Sequence, residues 1–219
     1  MVFLKNNKVT VVLILTLTVV LFFLYNASVA TSNELPIYNP SDINPELVAK
    51  SLQNKNENHI VSDFSLINQN GETITQENYK DKIYVTDFIF TRCLSICPIM
   101  TDNMAVLQRE FLKNDDIMFL SVSVTPDIDS VAILKQYATD KGVIDSRWNV
   151  TTGNKKHIYE LARRSYFAAA DQGDGGLQDF IHTPNFILVD KKKQIRGIYD
   201  GTEDAAMLKL LKDIKTLIN

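Results

Sequence analysis

Residues 83–98 read IYVTDFIFTRCLSICP, a stretch in which an apolar run leads directly into both cysteines of the chain. The run Ile83–Phe90 is rich in β-branched and aromatic residues and is long enough for a buried strand. Pro98 is typical of the first turn of a helix. The pattern therefore predicts a strand that ends in two thiols at the start of a helix. Helical spacing would place Cys93 and Cys97 on one face, one turn apart.

Two thiols in this position can form a disulfide, act as a redox couple or bind one soft metal ion. A helix N-terminus stabilises a thiolate through its unpaired N–H groups and its dipole, which lowers the thiol pKa. Two thiolates suit Cu(I), and an added imidazole makes a three-coordinate site for copper or an incomplete one for zinc, which prefers four ligands. An inert structural disulfide is less favoured, because closing so short a loop stabilises a fold little.

Strand and helix patterns alternate on either side of this stretch. Asn70-Gly71 is a typical hairpin turn and lies between two short strand-like segments, Phe64–Ile67 and Glu72–Thr75. Further strand patterns lie at Ile117–Val124, Trp148–Val150, Phe186–Val189 and Ile195–Tyr199, and the last two are expected to pair as a hairpin. Helical patterns begin near Pro98, Asn154 and Ala205, and another begins near Asp129 or Ser130, either of which can cap it. This order predicts an α/β sandwich with an extra N-terminal hairpin. Because a strand leads into two thiols at a helix N-terminus, the arrangement resembles a thioredoxin-like sandwich.

The N-terminal residues 1–30 have the pattern of a membrane anchor or a secretory signal. Lys5 and Lys8 precede the apolar run Val9–Tyr25, and a basic flank of this kind stays inside. The run has 17 residues, which exceeds the roughly 7–15 residues of a signal core and reaches the roughly 17–25 of a spanning helix. We therefore expect one uncleaved anchor in the cytoplasmic membrane, with the cysteines on the exported, periplasmic-type side, which is oxidising.

Composition and length indicate one domain behind this segment. Residues 31–58 are polar and contain three prolines, so we expect a linker, followed by a single domain at 59–219. The net charge is −3 and no block of lysine or arginine is present. An acidic domain of this kind argues against nucleic acid as a partner.

Some residues near the thiols have two readings. Met100 and Met104 continue the stripe of the cysteines and are soft potential ligands, but their helical spacing favours the core. Asp87 is either a buried carboxylate close to the thiols or a residue at a wet edge of the sheet. We expect His59 and His157, which lie among polar and charged residues, to be solvated. His182 directly precedes a buried strand pattern, and the sequence pattern alone leaves its role open.

Four segments together resemble the SCO/SenC family of copper-binding, thioredoxin-like proteins. They are the Cys-x-x-x-Cys-Pro motif at Cys93–Pro98, Ser123–Asp129, Trp148 with Thr152-Gly153, and Asp179–Thr183. Their order and spacing agree with the family over about residues 60–217. The resemblance implies that Cys93, Cys97 and His182 bind copper, as Cu(I), Cu(II) or both. It also implies a membrane-tethered metallochaperone whose recipient is the copper centre of a subunit of cytochrome c oxidase.

A second function remains open, because the same sulfurs serve both. Cys93 and Cys97 would then be the catalytic redox pair of a thiol–disulfide oxidoreductase that reduces the cysteines of a partner protein. A peroxidase is disfavoured, because no threonine stands three residues before either cysteine. The chain departs from the family pattern in two places: Leu94-Ser95 replaces the usual Pro-Asp, and Thr125 replaces an aspartate. Both changes remove negative charge near the thiols.

Overall fold

The computed structural model describes most of the chain as two compact units. It describes residues 3–30, 34–48, 52–54, 59–168 and 183–218, with the backbone alone for 3–8 and 26–30. The units are Met1–Leu35 and Pro36–Asn219.

The first unit contains a single element in its described part, helix α1 (Phe3–Ala30). Its apolar side chains between Val9 and Tyr25 are more than half exposed. Among the described residues, no helix combines the length and the hydropathy that crossing a membrane requires. The anchor predicted at 1–30 is therefore not supported by this criterion, and its 17-residue apolar run lies at the lower limit of spanning length.

The second unit contains a mixed sheet, which has seven strands in the part that the structure describes. They are β1 (Ser65–Asn68), β2 (Thr73–Thr75), β3 (Ile83–Ile89), β4 (Ile117–Ser123), β5 (Trp148–Thr152), β6 (Asn185–Val189) and β7 (Ile195–Asp200). Their order is β2-β1-β5-β4-β3-β6-β7. The central strands β3, β4 and β5 are parallel, and they are buried along nearly their whole length. Burial on both faces explains why β3 and β4 are mostly apolar.

The predicted hairpins are present at the two ends of the sheet. β1 and β2 pair antiparallel around Gly71, which adopts a left-handed φ of 79°. Glycine adopts this conformation without the steric cost that a side chain would impose. β6 and β7 form the second antiparallel pair. The α/β class and the extra N-terminal hairpin are thus confirmed.

Four helices follow strands of the second unit within the described ranges. They are α2 (Ile96–Glu110), α3 (Val131–Asp140), α4 (Lys155–Glu160) and α5 (Asp204–Ile218). A π-helical turn, Leu161–Ser165, continues α4. Helix α2 packs against β4, α3 against β5 and β1, and α5 against β7 and β3.

The two faces of the sheet are buried by different elements. Tyr84 and Phe88 of β3 belong to a core cluster with Ile158 and Leu161 of the α4 region. Successive side chains of a strand point to opposite faces, so Asp87 points away from this cluster. On its side of the sheet lie helices that bury residues such as Met104. Helices on both faces confirm the thioredoxin-like sandwich.

Part of the predicted linker packs on the sheet of the second unit. Ile43 and Val48 are buried members of its core cluster. The backbone N–H of Tyr38 donates to the Ile195 carbonyl at 2.9 Å. The boundaries 31–58 and 59–219 remain predictions.

Candidate metal centre and thiol pair

The cysteines lie where β3 passes into α2. Strand β3 ends at Ile89 and α2 begins at Ile96. Cys97 is therefore in the first helical turn, whereas Cys93 precedes the helix. The prediction that both cysteines share one helical face was wrong, because the connection after β3 extends past Cys93. Pro98 lies in the first turn as predicted.

A hydrogen bond brings the two cysteines together despite this difference. The backbone N–H of Cys97 donates to Cys93 Sγ at 3.4 Å, and the Ser95 hydroxyl lies 3.5 Å from the same sulfur. Both cysteines are reduced and are not joined by a disulfide. They are buried, with 6% of Cys93 and 3% of Cys97 exposed. Two soft donors in this arrangement fit a copper ion.

The surroundings make the two thiols chemically unequal. Burial acts to raise the pKa of Cys93, but hydrogen bonds from Ser95 and from the Cys97 backbone outweigh it and lower the pKa to about 6. Burial raises the pKa of Cys97 to about 12, and interactions with Cys93 and the Asp87 charge add to the effect. Cys93 is therefore a thiolate at neutral pH, and Cys97 is a protonated thiol.

Asp87 is a buried carboxylate on the side of the sheet that carries Cys97. It is 0% exposed and accepts a 2.6 Å hydrogen bond from the Ser121 hydroxyl. Burial, only partly offset by this bond, raises the pKa of Asp87 to about 7. Its charge acts on Cys97 and on Tyr137 of α3. Of the two readings of Asp87, the buried carboxylate near the thiols is confirmed.

Asp129 is a second buried carboxylate beside the cysteine connection, and the sequence reasoning gave it no role beyond a possible helix cap. It is 0% exposed and accepts hydrogen bonds from Thr91, Ser123 and Thr125. The cap of α3 is instead Ser130, whose hydroxyl accepts from the Ile133 N–H. The three hydroxyl residues at the ends of β3 and β4 were the signal that could have identified this cluster.

The two positions that depart from the family pattern, Leu94-Ser95 and Thr125, differ in how far their side chains are exposed. Leu94, between the cysteines, is 96% exposed, which is unusual for a large apolar side chain. Thr125 is half-buried and donates to Asp129 Oδ2 at 2.9 Å. The first change adds an apolar contact surface beside Cys93, and the second adds a hydrogen-bond donor.

The histidines differ from their predicted surroundings or lie outside the description. His59 is half-buried, and its Nε2 lies 2.7 Å from the Ser165 carbonyl. Burial lowers the pKa of His59. His157 accepts a 3.3 Å bond at Nε2 from the Ser65 N–H. Neither is the freely solvated side chain that was predicted. His182, the third predicted ligand, lies outside the described residues.

The pairing of β6 in the sheet nevertheless shows where the chain runs a few residues after His182. Strand β6 runs antiparallel to β3, with Thr86 opposite Ile187. The start of β6 at Asn185 therefore lies beside the end of β3, from which the cysteine connection leaves. Within the described ranges, no cluster of three or more histidine, cysteine, aspartate or glutamate side chains is arranged to hold a metal ion.

Comparison with known proteins identifies a family for most of the second unit. Residues 52–219 match the family model described as SCO1/SenC. The SCO1 protein homolog of Bacillus subtilis is 32% identical over 161 residues, which are 73% of this chain and 83% of that protein.

Solved structures of the same family share this fold. A SCO1/SenC family lipoprotein from Bacillus anthracis is 31% identical, with a TM-score of 0.65 over 74% of this chain and 96% of that one. BsSco, described with a disulfide switch and as a member of a family of cytochrome c oxidase assembly proteins, is 31% identical, with a TM-score of 0.61 over 73% and 94%. More distant Sco proteins of the same fold, including yeast Sco1, have been solved with copper bound. The chain with the Cys93–Cys97 pair belongs to the SCO1/SenC family.

Proposed function

We propose that this protein binds one copper ion through Cys93 and Cys97, with His182 as the third ligand, and passes it to the copper centre of cytochrome c oxidase during assembly. The observation that carries the proposal is the hydrogen bond that brings the two reduced cysteines together at the β3–α2 connection, in which the Cys97 backbone N–H donates to Cys93 Sγ at 3.4 Å. Relatives of this fold described as oxidase assembly proteins or solved with copper support it.

The sulfur donors suit a protein that must release its cargo. Cys93 carries a pKa of about 6, so its sulfur is ready to bind copper without first losing a proton. Three ligands leave copper open to a further ligand from a recipient, and the ion can move by ligand exchange. His182 as the third ligand rests on the family resemblance, and the antiparallel pairing of β6 with β3 supports it by returning the chain to the end of β3.

Metal analysis of single variants tests the ligand set. We expect about one copper per reduced chain, with two sulfurs and one nitrogen in its X-ray absorption spectrum. Cys93→Ala, Cys97→Ala and His182→Ala should each lose this binding. His157→Ala is the matched control, because this histidine is half-buried on α4 and is not a proposed ligand. Stoichiometric copper in all three ligand variants would rule out the proposal.

The unequal thiols favour thiol–disulfide exchange as a second candidate function. The Cys93 thiolate attacks a disulfide of the partner, and one partner sulfur leaves as a thiolate that takes the proton of Cys97. The Cys97 sulfur then attacks Cys93 Sγ, and the second partner sulfur leaves. The partner disulfide is thereby reduced to one thiol and one thiolate, which takes its proton from water, while Cys93 and Cys97 are oxidised to a disulfide. Exchange that survives in His182→Ala but fails in both cysteine variants would favour this function.

Tethering to the cytoplasmic membrane is the part of the proposal that rests on sequence. The basic residues Lys5 and Lys8 and the apolar run Val9–Tyr25 support an N-terminal anchor with the domain on the exported side. Fractionation of cells tests it. The full chain should sediment with membranes and resist extraction by high salt, whereas a chain that starts at Pro36 and is exported by another signal should not.

A further inference from the structure

Asp129 accepts hydrogen bonds from both connections that flank the thiol site. Thr91, two residues before Cys93, donates its hydroxyl to Oδ1 at 2.6 Å and its backbone N–H to Oδ2 at 3.3 Å. Ser123, the last residue of β4, donates to Oδ2 at 2.6 Å, and Thr125 donates to the same oxygen at 2.9 Å. One carboxylate thus joins the β3–α2 connection to the β4–α3 connection.

The burial of Asp129 makes these bonds strong. The side chain is 0% exposed, and a buried carboxylate is tolerated where several donors replace its water. Hydrogen bonds to a charged acceptor are roughly twice as strong as neutral ones. The position of Thr91 is therefore fixed against the end of β4, and Cys93 follows two residues later.

Thr125 stands where the family pattern has an aspartate, and it contributes one of the hydrogen bonds to Asp129. The Thr125 hydroxyl is a donor within hydrogen-bond distance of Asp129, and its own N–H donates to Ser123 Oγ at 3.1 Å. A carboxylate at the half-buried position 125 would be a like-charged neighbour of Asp129. Replacement by threonine turns a repulsive neighbour into a fourth donor.

We propose that Asp129 is a positioning residue for the cysteine pair: by holding Thr91 it fixes Cys93 beside Cys97 for copper binding and thiol exchange. In this role Asp129 acts through Thr91 and the backbone that follows it, not on the sulfurs themselves. The inference rests on the proposed function, because it assigns a purpose to the geometry of that same site.

The test compares two variants of the full chain with a matched control. Thr91→Val removes one hydroxyl donor and keeps the Asp129 charge, whereas Asp129→Asn keeps the shape and removes the charge. Thr151→Val is the control, because the Thr151 hydroxyl donates a buried 3.0 Å bond to the Ser121 carbonyl, within the sheet and away from the cysteine connection. Unfolding midpoints are measured for all three, so that losses of stability can be matched.

Two measurements follow on each reduced protein. Competition with a chromophoric chelator gives Cu(I) affinity, and we expect a loss of about tenfold or more in Thr91→Val and Asp129→Asn, the scale of a hydrogen bond to a charged group. Exchange with glutathione gives the metal-free dithiol–disulfide equilibrium. We expect Thr91→Val to shift it towards the disulfide by about tenfold, or about 30 mV, because the connection holds the dithiol geometry whereas a disulfide bond fixes the sulfurs by itself.

The outcomes separate this inference from the proposed function. Thr151→Val should match the wild type in both measurements despite a comparable loss of stability. The positioning role is overturned if Thr91→Val and Asp129→Asn differ from the wild type no more than the control does. If the wild type binds no copper, the proposed function fails, and the glutathione equilibrium still decides the role of Asp129. If Asp129→Asn does not fold, Thr91→Val carries the test.

Discussion

Ser121 donates a hydrogen bond to one oxygen of Asp87, and the other oxygen has no hydrogen-bond partner among the described residues. The two residues face each other in the parallel register of β3 and β4. Ser121 Oγ lies 2.6 Å from Asp87 Oδ1 and also accepts the Trp148 indole N–H at 2.9 Å. Asp87 Oδ2 is buried and unmatched in the described part of the chain. Within the described residues, the Asp87 carboxyl therefore has one hydrogen-bonded oxygen on the side of the sheet that carries Cys97. Its ionisation in this buried position costs free energy.

Asp87→Asn should make the protein more stable above pH 7. The folded-state pKa of Asp87 is about 7, against 3.8 for the free group, so between these values the folded protein holds more protons than the unfolded chain. Its stability therefore falls as pH rises from about 4 to about 7 and then levels off. An amide in place of the carboxyl would remove this pH dependence. Over the whole range the Asp87 carboxyl changes the free energy of unfolding by up to about 4 kcal/mol. Denaturant unfolding at pH 4, 6 and 8 measures it.

The control for this prediction is Asp190→Asn. Asp190 is a buried carboxylate in which Oδ2 accepts from Arg196 and Oδ1 accepts two backbone N–H groups. Removing its charge should lower stability at pH 8, because it leaves the largely buried Arg196 without its ion pair. A slope between pH 4 and 7 that is unchanged in Asp87→Asn would contradict the prediction.

Ser121→Ala should destabilise the protein by about 2–4 kcal/mol, because it leaves two buried groups without partners. The Asp87 carboxylate loses its donor, and the Trp148 N–H loses its acceptor. Thermal or urea unfolding at pH 7 measures the loss. Ser130→Ala, at an exposed residue that caps α3, should lose about 1 kcal/mol. Equal losses in the two variants would show that the buried pair of bonds contributes nothing extra.

Alkylation should distinguish the two thiols by pH. In Cys97→Ser, the remaining Cys93 should react with iodoacetamide along a profile whose midpoint is near pH 6, in keeping with its lowered pKa. In Cys93→Ser, Cys97 should react slowly up to about pH 9, because burial raises its pKa. Ser95→Ala should move the Cys93 midpoint upward, since a hydroxyl bond to the sulfur is lost. Equal midpoints for the two cysteines would refute the assigned inequality.

Met100→Leu and Met104→Leu should leave the copper content unchanged. Both methionines are 0% exposed within the core, and leucine has a similar volume, so each change should cost less than about 1.5 kcal/mol. Copper analysis and unfolding of both variants measure the two effects. Met100→Ala is the contrasting variant, with an expected loss of about 2–5 kcal/mol. Loss of copper from either leucine variant would identify that sulfur as a ligand.

The parts of the fold that the sequence could predict are those with a local physical signal. The apolar run Ile83–Phe90 predicted β3 because its burial on both faces needs an almost continuous apolar sequence. Asn70-Gly71 predicted the first hairpin because the turn needs a left-handed residue, and Gly71 has a φ of 79°. Met100 and Met104 were predicted as core from their spacing, and they are buried.

The parts that sequence reasoning missed depend on contacts between distant residues. Cys93 was placed on the same helical face as Cys97, because spacing alone does not show that the connection after β3 continues past Cys93. The carboxylate of Asp129 meets Thr91 across 38 positions of sequence, and no local pattern reports such a contact. The half-burial of His59 likewise comes from the approach of Ser165, a residue far along the chain.

Leu94 is an exposed apolar side chain beside the thiols, and burying it against another molecule would contribute hydrophobic free energy to binding. Its side chain is 96% exposed in the protein on its own, and covering a leucine contributes about 1.5–3 kcal/mol. That contribution appears only when another surface closes over the cysteine connection, and it is insensitive to salt, unlike an attraction between charges. Burial of Leu94 would thus stabilise a complex with a protein that binds at Cys93. The same contact would exclude water from the sulfur atoms for as long as the complex lasts.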